Sequence, residues 1–314
     1  MTDLVSIIIP VYNREVHLRD TLTSIKAQTY RNWECLLVDD HSTDESVNIL
    51  KEFEEEDPKF KVLIRPDNRP KGANACRNFG FEHARGKYVN WFDSDDLMKP
   101  TFLQSKVEKH SEGHYDFVLS KTIISKLGSN NYQNELRTRL TLNLLEDFLT
   151  RNITWYLPDP MFKNSFLKDK KLFDEYLLGG QDRDFFRRIL LADPKIVIVE
   201  DYSRIYLLHG DSISESIYRK QTPEVLVSIF KAQAKYIDIL KERKLLSKKL
   251  KQFYFKELIK FTPFLYKSPV LLTSLENSLH QLQMIDFYIL KLWFKYYMGL
   301  TSLKITGKGQ KLFK

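Results

Sequence analysis

Asp93-Ser94-Asp95-Asp96 sets carboxylates two residues apart, directly behind the apolar run Tyr88 to Phe92. Oxygen donors at that spacing on a tight turn can bind a hard divalent cation, Mg2+ or Mn2+, and leave positions open for water and phosphate oxygens. Such a cation is a Lewis acid that neutralises a departing diphosphate. Two more polar clusters stand behind other apolar runs: Tyr12-Asn13 after Val5 to Val11, and Asp39-Asp40 after Trp33 to Val38. A solvated turn or a helix cap explains any one of them. Three at one edge point to a ligand, because open α/β sheets bind beyond the carboxyl ends of their strands.

The elements that would position these residues alternate. Val5 to Val11 is a β-branched run of the kind shown by a parallel strand buried on both faces, and Val16 to Ala27 follows at helical spacing. Trp33 to Val38 is a second strand, and Ser42 or Thr43 is placed to cap a helix running to about Glu56. Phe60 to Ile64, Ala73 to Ala84 and Tyr88 to Phe92 continue as strand, helix and strand. This is an α/β pattern. Residues 115–219 mix short elements, with Asp201 to Leu208 a late strand. Long helical patterns begin after Gln221, so the division falls between residues 1–219 and 220–314.

The chain has 314 residues, 49 Lys+Arg against 41 Asp+Glu, 43% hydrophobic and 13% aromatic residues, which is a globular composition. Cys35 and Cys76 are too few for a disulfide framework or a thiolate metal site and suit a reducing compartment. The apolar start is strand-length rather than leader-length, and Met284 to Leu300 is interrupted by Asp286, Lys291 and Lys295. The expectation is a cytoplasmic protein. No glycine follows the first strand, which excludes a dinucleotide-binding turn; no P-loop and no Gly-x-Ser-x-Gly elbow is present. The net charge of +8 is divided: residues 220–314 hold 18 Lys+Arg against 6 Asp+Glu, whereas residues 1–219 are net acidic. Nucleic acid is not expected as a partner, because acidic loops at the strand ends repel phosphate unless a metal intervenes.

Four stretches carry a resemblance: Ser6-Ile7-Ile8-Ile9-Pro10-Val11-Tyr12-Asn13, Val38-Asp39-Asp40-His41-Ser42-Thr43-Asp44, Gly72-Ala73-Asn74-Ala75-Cys76-Arg77-Asn78-Phe79-Gly80 and Asp93-Ser94-Asp95-Asp96. In this order and spacing, residues 4–215 resemble the family 2 glycosyltransferases of the GT-A fold. The resemblance implies a Rossmann-like, mostly parallel sheet flanked by helices, here with a C-terminal helical extension. It also implies an inverting transferase that moves a sugar from a nucleotide-sugar donor, UDP-linked, to an acceptor hydroxyl on a glycan or lipid-linked glycan. By resemblance, Pro10 and Tyr12 pack on the base, and Asp40 accepts from the uracil imide, with Asp39 as its neighbour. Arg77 belongs to the segment approaching the donor, while Lys71 reads better as a solvated helix face. Asp93 resembles a ribose or metal contact and Asp95 the direct metal ligand; Asp96 buttresses the turn. His209, in His209-Gly210-Asp211-Ser212-Ile213-Ser214, resembles a late histidine near metal and diphosphate. Single displacement needs a base for the acceptor proton. Gln181-Asp182-Arg183-Asp184 resembles the stretch that supplies it, and Asp182 matches the position. Gln181 stands where the family usually has Glu, which leaves Asp184 as an alternative.

Lysines among Leu246, Phe253, Tyr254 and Phe255, with Trp293, Phe294, Tyr296 and Tyr297 farther on, suit an anionic membrane surface at the inner face of the cell membrane. They equally suit a helical cap showing lysines to water. A non-catalytic sugar-nucleotide or glycan-binding module of the same fold is the alternative to an enzyme. Trp155 and Tyr156 either stack on a sugar or fill the core.

Overall fold

The structure is a computed structural model and describes residues 2–126, 132–134, 138–208, 222–282 and 287–306. His209 lies outside the described residues. The chain divides into two compact units: Met1–Tyr176 with Gln181–Ser212, and Leu177–Gly180 with Ile213–Lys314.

The first unit runs β1 (Val5–Val11), α1 (Leu18–Lys26), β2 (Trp33–Asp39), α2 (Ser46–Glu56), β3 (Phe60–Ile64), α3 (Ala73–His83), β4 (Tyr88–Trp91), β5 (Leu97–Met98) and α4 (Phe102–Ser111). It continues with β6 (Phe117–Lys126), β7 (Tyr132–Asn134), α5 (Leu144–Leu149), β8 (Pro160–Lys163), α6 (Asn164–Leu167), α7 (Gln181–Leu190) and β9 (Ile196–Leu208). One sheet has the order β3-β2-β1-β4-β8-β6-β9-β5, with β7 on β6. The β3-β2-β1-β4 half is parallel, as the Rossmann-like expectation requires. β8 enters antiparallel between β4 and β6.

Strand alternation explains the two layers. Ile7, Ile9, Cys35 and Leu37 face one core with Leu18, Leu22 and Ile25 of α1 and Leu50 and Phe53 of α2. Ile8, Leu36 and Val38 face the other, with Cys76 of α3 and Phe185, Phe186 and Ile189 of α7. Successive side chains point to opposite faces, so a strand covered by helices on both sides is mostly apolar, and the polar Ser6 and Glu34 are bonded to each other. Gly80 lets α3 lie close on the sheet: a Cβ there would meet Ile8 Cγ2 at 2.4 Å and Val38 Cγ2 at 3.1 Å.

Two local expectations differ from the structure. α2 starts at Ser46 behind Glu45, with no side-chain cap. Ser42 instead accepts the Asn13 N–H at 3.0 Å through its hydroxyl, and Asn13 Oδ1 accepts the Thr43 N–H at 2.8 Å. The loop after β1 thus takes the groups expected to cap the helix. The late strand begins at Ile196, not Asp201, and pairs parallel with β6 from Phe117. Glu200 and Asp201 break its apolar pattern, but Lys121 of β6 pairs with Glu200.

The second unit contains α8 (Pro223–Glu242), α9 (Lys248–Ile259), α10 (Thr262–Leu265), α11 (Pro269–Gln281) and α12 (Phe287–Thr306). Thr222 caps α8, and Ser247 caps α9 by accepting the Leu250 N–H at 3.1 Å. Trp293 of α12 packs edge-on against Phe255 of α9, and Tyr296 donates to Glu276 of α11 at 3.2 Å. Among the described residues no helix is long and apolar enough to cross a membrane.

Candidate active site

The strand ends of β1, β2 and β4 converge, and the loops that leave them are stitched together. Asn13 and His41 hold positive φ (49° and 59°), so the chain turns sharply as it leaves β1 and β2. Asp39, at the end of β2, accepts the Ser42 N–H through both carboxylate oxygens at 3.1 and 3.3 Å. Asp40 is 4% exposed and pairs with Arg65, the residue after β3, which also donates to the Arg69 carbonyl at 2.6 Å. Tyr12 is 39% exposed, and Lys71 Nζ lies 3.7 Å from its ring centroid. Lys71 is exposed, as a solvated residue would be, but it precedes α3 rather than lying on it and stands as a cation over an aromatic face at this edge.

α3 carries the centre of the site. Gly72, at φ 141°, turns the chain into the helix. Asn74 donates to the Asp174 carbonyl at 2.6 Å, and Asn78 donates to the Phe173 carbonyl and accepts the Phe173 N–H. These bonds pin residues 173–175, upstream of α7. One turn along the same helix face, Arg77 is buried, with its guanidinium 5.5 Å from the Phe173 ring centroid. It donates to Asp93 Oδ1 at 3.2 Å, and its Nη1 lies 4.0 Å from Asp182 Oδ1. Its Nε is buried and has no hydrogen-bond partner among the described residues. Arg77 thus brings together two residues 89 positions apart in sequence, Asp93 behind β4 and Asp182 in the first turn of α7.

The acidic turn is held from behind by a residue that the sequence did not advertise. Arg204 of β9 is 1% exposed; it donates through Nε to Asp96 at 2.9 Å and lies 3.9 Å from Asp93 and 3.4 Å from Asp159. Its guanidinium lies 5.0 and 5.2 Å from the ring centroids of Tyr156 and Tyr206. Asp96 is wholly buried. Asp93 keeps 32% of its side chain in solvent, and Asp95 pairs with Arg14 at 3.7 Å. Trp155 is core, packed at 4.6 Å on Phe148 and 5.7 Å on Phe186.

Electrostatics separate the two acids of α7. Asp184 is tied to Arg188, one turn along, through two bonds of 3.1 and 2.6 Å. Asp182 faces Arg77 instead. Crowding by protein raises the Asp182 pKa above the ordinary carboxylate value, with Arg77 pulling it down and Asp93 pushing it up. Its side chain is still 43% exposed, so water limits the size of that shift. Cys76, near Asp40 and Arg77, is pushed up to about 12 by burial, which leaves it a thiol and no nucleophile.

A divalent cation fits the acidic turn on its donor chemistry. Asp93 and Asp95 supply hard oxygen donors from one turn, and Asp93 reaches solvent. Among the described residues, no group of three or more His, Cys, Asp or Glu is arranged to hold a metal. Two carboxylates suit an ion that takes its remaining ligands from water and diphosphate rather than from a closed protein cage.

The sequence matches the family model described as Glycosyl transferase family 2 over residues 6–177, more than half of the chain. It is similar to an uncharacterized glycosyltransferase of Haemophilus influenzae, 38% identical over 111 residues that cover 35% of this chain and 44% of that protein. It is also similar to the GalNAc(5)-diNAcBac-PP-undecaprenol beta-1,3-glucosyltransferase of Campylobacter jejuni, 26% identical over 68% of this chain and 69% of the relative. The match to the Haemophilus protein thus spans less than half of that relative's length. Among solved structures, Staphylococcus aureus TarS 1-349 in complex with UDP-GlcNAc superposes with a TM-score of 0.67 at 20% identity, covering 98% of this chain and 89% of that one. That likeness is one of fold, the GT-A arrangement.

Proposed function

The chain belongs to glycosyl transferase family 2, and from that membership we propose that it transfers a sugar from a UDP-linked donor to an acceptor hydroxyl, with inversion, in surface polysaccharide or glycolipid synthesis. The observation that carries this reading is Arg77 lying between Asp93 and Asp182. It sets a fixed cation and a base candidate side by side at the strand ends, where such sheets bind ligands.

In this reading Pro10 and Tyr12 pack on the base, Asp40 accepts the imide N–H of uracil, and Arg65, paired with that carboxylate, aims it. Asp182 takes the proton of the acceptor hydroxyl as its oxygen bonds to the anomeric carbon. The bond from that carbon to the diphosphate breaks on the opposite face, and its electron pair leaves on the diphosphate oxygen. A carboxylate with a raised pKa is a better base than an ordinary one, because its affinity for the proton lies nearer working pH. Arg77 places positive charge beside Asp93, toward the departing diphosphate. Mg2+ or Mn2+ on Asp93 and Asp95, with His209 as a third candidate ligand, supplies further charge neutralisation when bound. Asp184, held by Arg188, is set aside as the base.

The acceptor is read as a glycan or lipid-linked glycan, supported by the basic stretch 220–314 and by the undecaprenol in the Campylobacter relative's name. That stretch would hold the protein at the inner, anionic face of the cell membrane. The test is release of UDP from a panel of UDP-sugars, with and without chelator. Metal-dependent release is expected with one of them; donor binding with no release across the panel would instead identify a non-catalytic sugar-nucleotide-binding module.

A further inference from the structure

We infer that the outward face of α12 is a membrane-docking surface that inserts among anionic lipid headgroups; this rests on, and sharpens, the membrane reading of residues 220–314. α12 is apolar on two sides. Its inner side buries Trp293, Tyr296, Leu300 and Leu303 against its own helical unit. Its outer side leaves Phe294, Met298 and Ile305 at 69%, 53% and 77% exposure. At 3.6 residues per turn these three and Thr301 fall within about 60° of arc, one continuous stripe along the helix. A helix of a water-soluble unit ordinarily shows polar residues on the face turned away from its core. Three large apolar side chains in a line on that face call for a cover.

The residues beside the stripe select the cover. Lys291 lies on one edge and Lys304 on the other, both exposed, with Tyr297 at 49% exposure next to Lys304. Lysines flanking an apolar stripe can extend their ammonium groups to headgroups while their methylenes follow the apolar side chains inward, and tyrosine suits the same interfacial depth. A second copy of the chain is the other candidate. Two-fold pairing of this stripe would set lysine edges against lysine edges, within stretches that each carry 18 basic against 6 acidic residues. Anionic lipid is complementary to that charge where a second copy repels it.

The test uses the full chain and sedimentation with vesicles of phosphatidylcholine alone or mixed with phosphatidylglycerol. The chain is expected to bind the anionic vesicles and to lose binding as salt rises. The triple substitution Phe294→Ser, Met298→Ser, Ile305→Ser should weaken that binding on the order of 100-fold while melting temperature and donor hydrolysis stay unchanged. Lys291→Gln with Lys304→Gln, two exposed changes that leave the apolar stripe intact, should weaken it by roughly five-fold per lysine and flatten the salt dependence. Binding by the triple variant as tight as that of the unaltered chain overturns the assignment to α12 and leaves the wider membrane reading standing. Absence of binding by the unaltered chain overturns both. A concentration-dependent dimer in sedimentation equilibrium that the triple variant abolishes assigns the stripe to self-association instead. Donor hydrolysis is read on the same samples, so failure of the transferase proposal is recorded separately.

Discussion

Asp182 and Asp184 are two residues apart on one helix turn, yet their charged partners differ. Asp184 is satisfied locally by Arg188, an i, i+4 pair that any helix can make. Asp182 meets Arg77, which comes from a distant helix. Asp182→Asn should lower kcat by ~10²–10⁴ while donor affinity, measured by calorimetry, survives; a fully active variant would refute the base assignment. Asp184→Asn, by contrast, should change kcat less than ten-fold. The pH profile gives an independent check. A raised pKa places the acid limb of kcat/KM above the ordinary aspartate value of about 3.9, and activity falls as pH drops through it. Arg77 favours the charged form of Asp182, so Arg77→Met should move that limb to higher pH as well as lowering the rate. A limb that stays in place would separate Arg77 from Asp182. The types of the acidic residues were legible in the sequence. Their partners were not: Arg65, Arg77 and Arg204 lie 25, 105 and 108 residues from Asp40, Asp182 and Asp96, pairings that only strand order and helix placement create.

Elements decide how closely those residues approach. α3 delivers Arg77, and it can do so because Gly80 leaves no side chain between the helix and β1. Gly80→Val should therefore lower stability by about 1–3 kcal/mol through overpacking and displace Arg77 with the helix, read as a fall in melting temperature and a loss of turnover together. β9 delivers Arg204, and its register against β6 and β5, Arg204 opposite Thr122 and Met98, sets the guanidinium under the acidic turn. A strand-to-strand register of this kind has no local signal, because it depends on which strands neighbour one another. The β-branched run of β1, in contrast, announced a parallel sheet covered on both faces, since burial on both sides favours apolar residues at successive positions. Ser42 shows the reverse case. Its chemistry fitted a helix cap, and the loop after β1 competed for the same hydroxyl and took it.

For the molecule as a whole, stability should depend on pH through a histidine remote from the candidate site. His110 is buried, stacked on Tyr88, and donates one bond through Nε2 to the Met161 carbonyl at 3.0 Å; burial pushes its pKa down to about 4. A folded pKa below the unfolded value means that its contribution is fully present above pH 6.5 and is lost as pH falls toward 4. The loss should reach about 3 kcal/mol in urea titrations, and His110→Gln should flatten the curve over that window. A wild-type curve already flat there would remove His110 as the cause. The amino-acid sequence by itself determined the α/β class, the family and the acidic and basic divisions of the chain, because periodicity, residue type and charge are local properties. Tertiary structure alone decided that Arg77 stands between Asp93 and Asp182, that Arg204 underlies the acidic turn, and that α12 turns apolar side chains outward. Each of these is a relation between distant residues or between a helix and its neighbours, and such relations come into being only when the chain closes on itself.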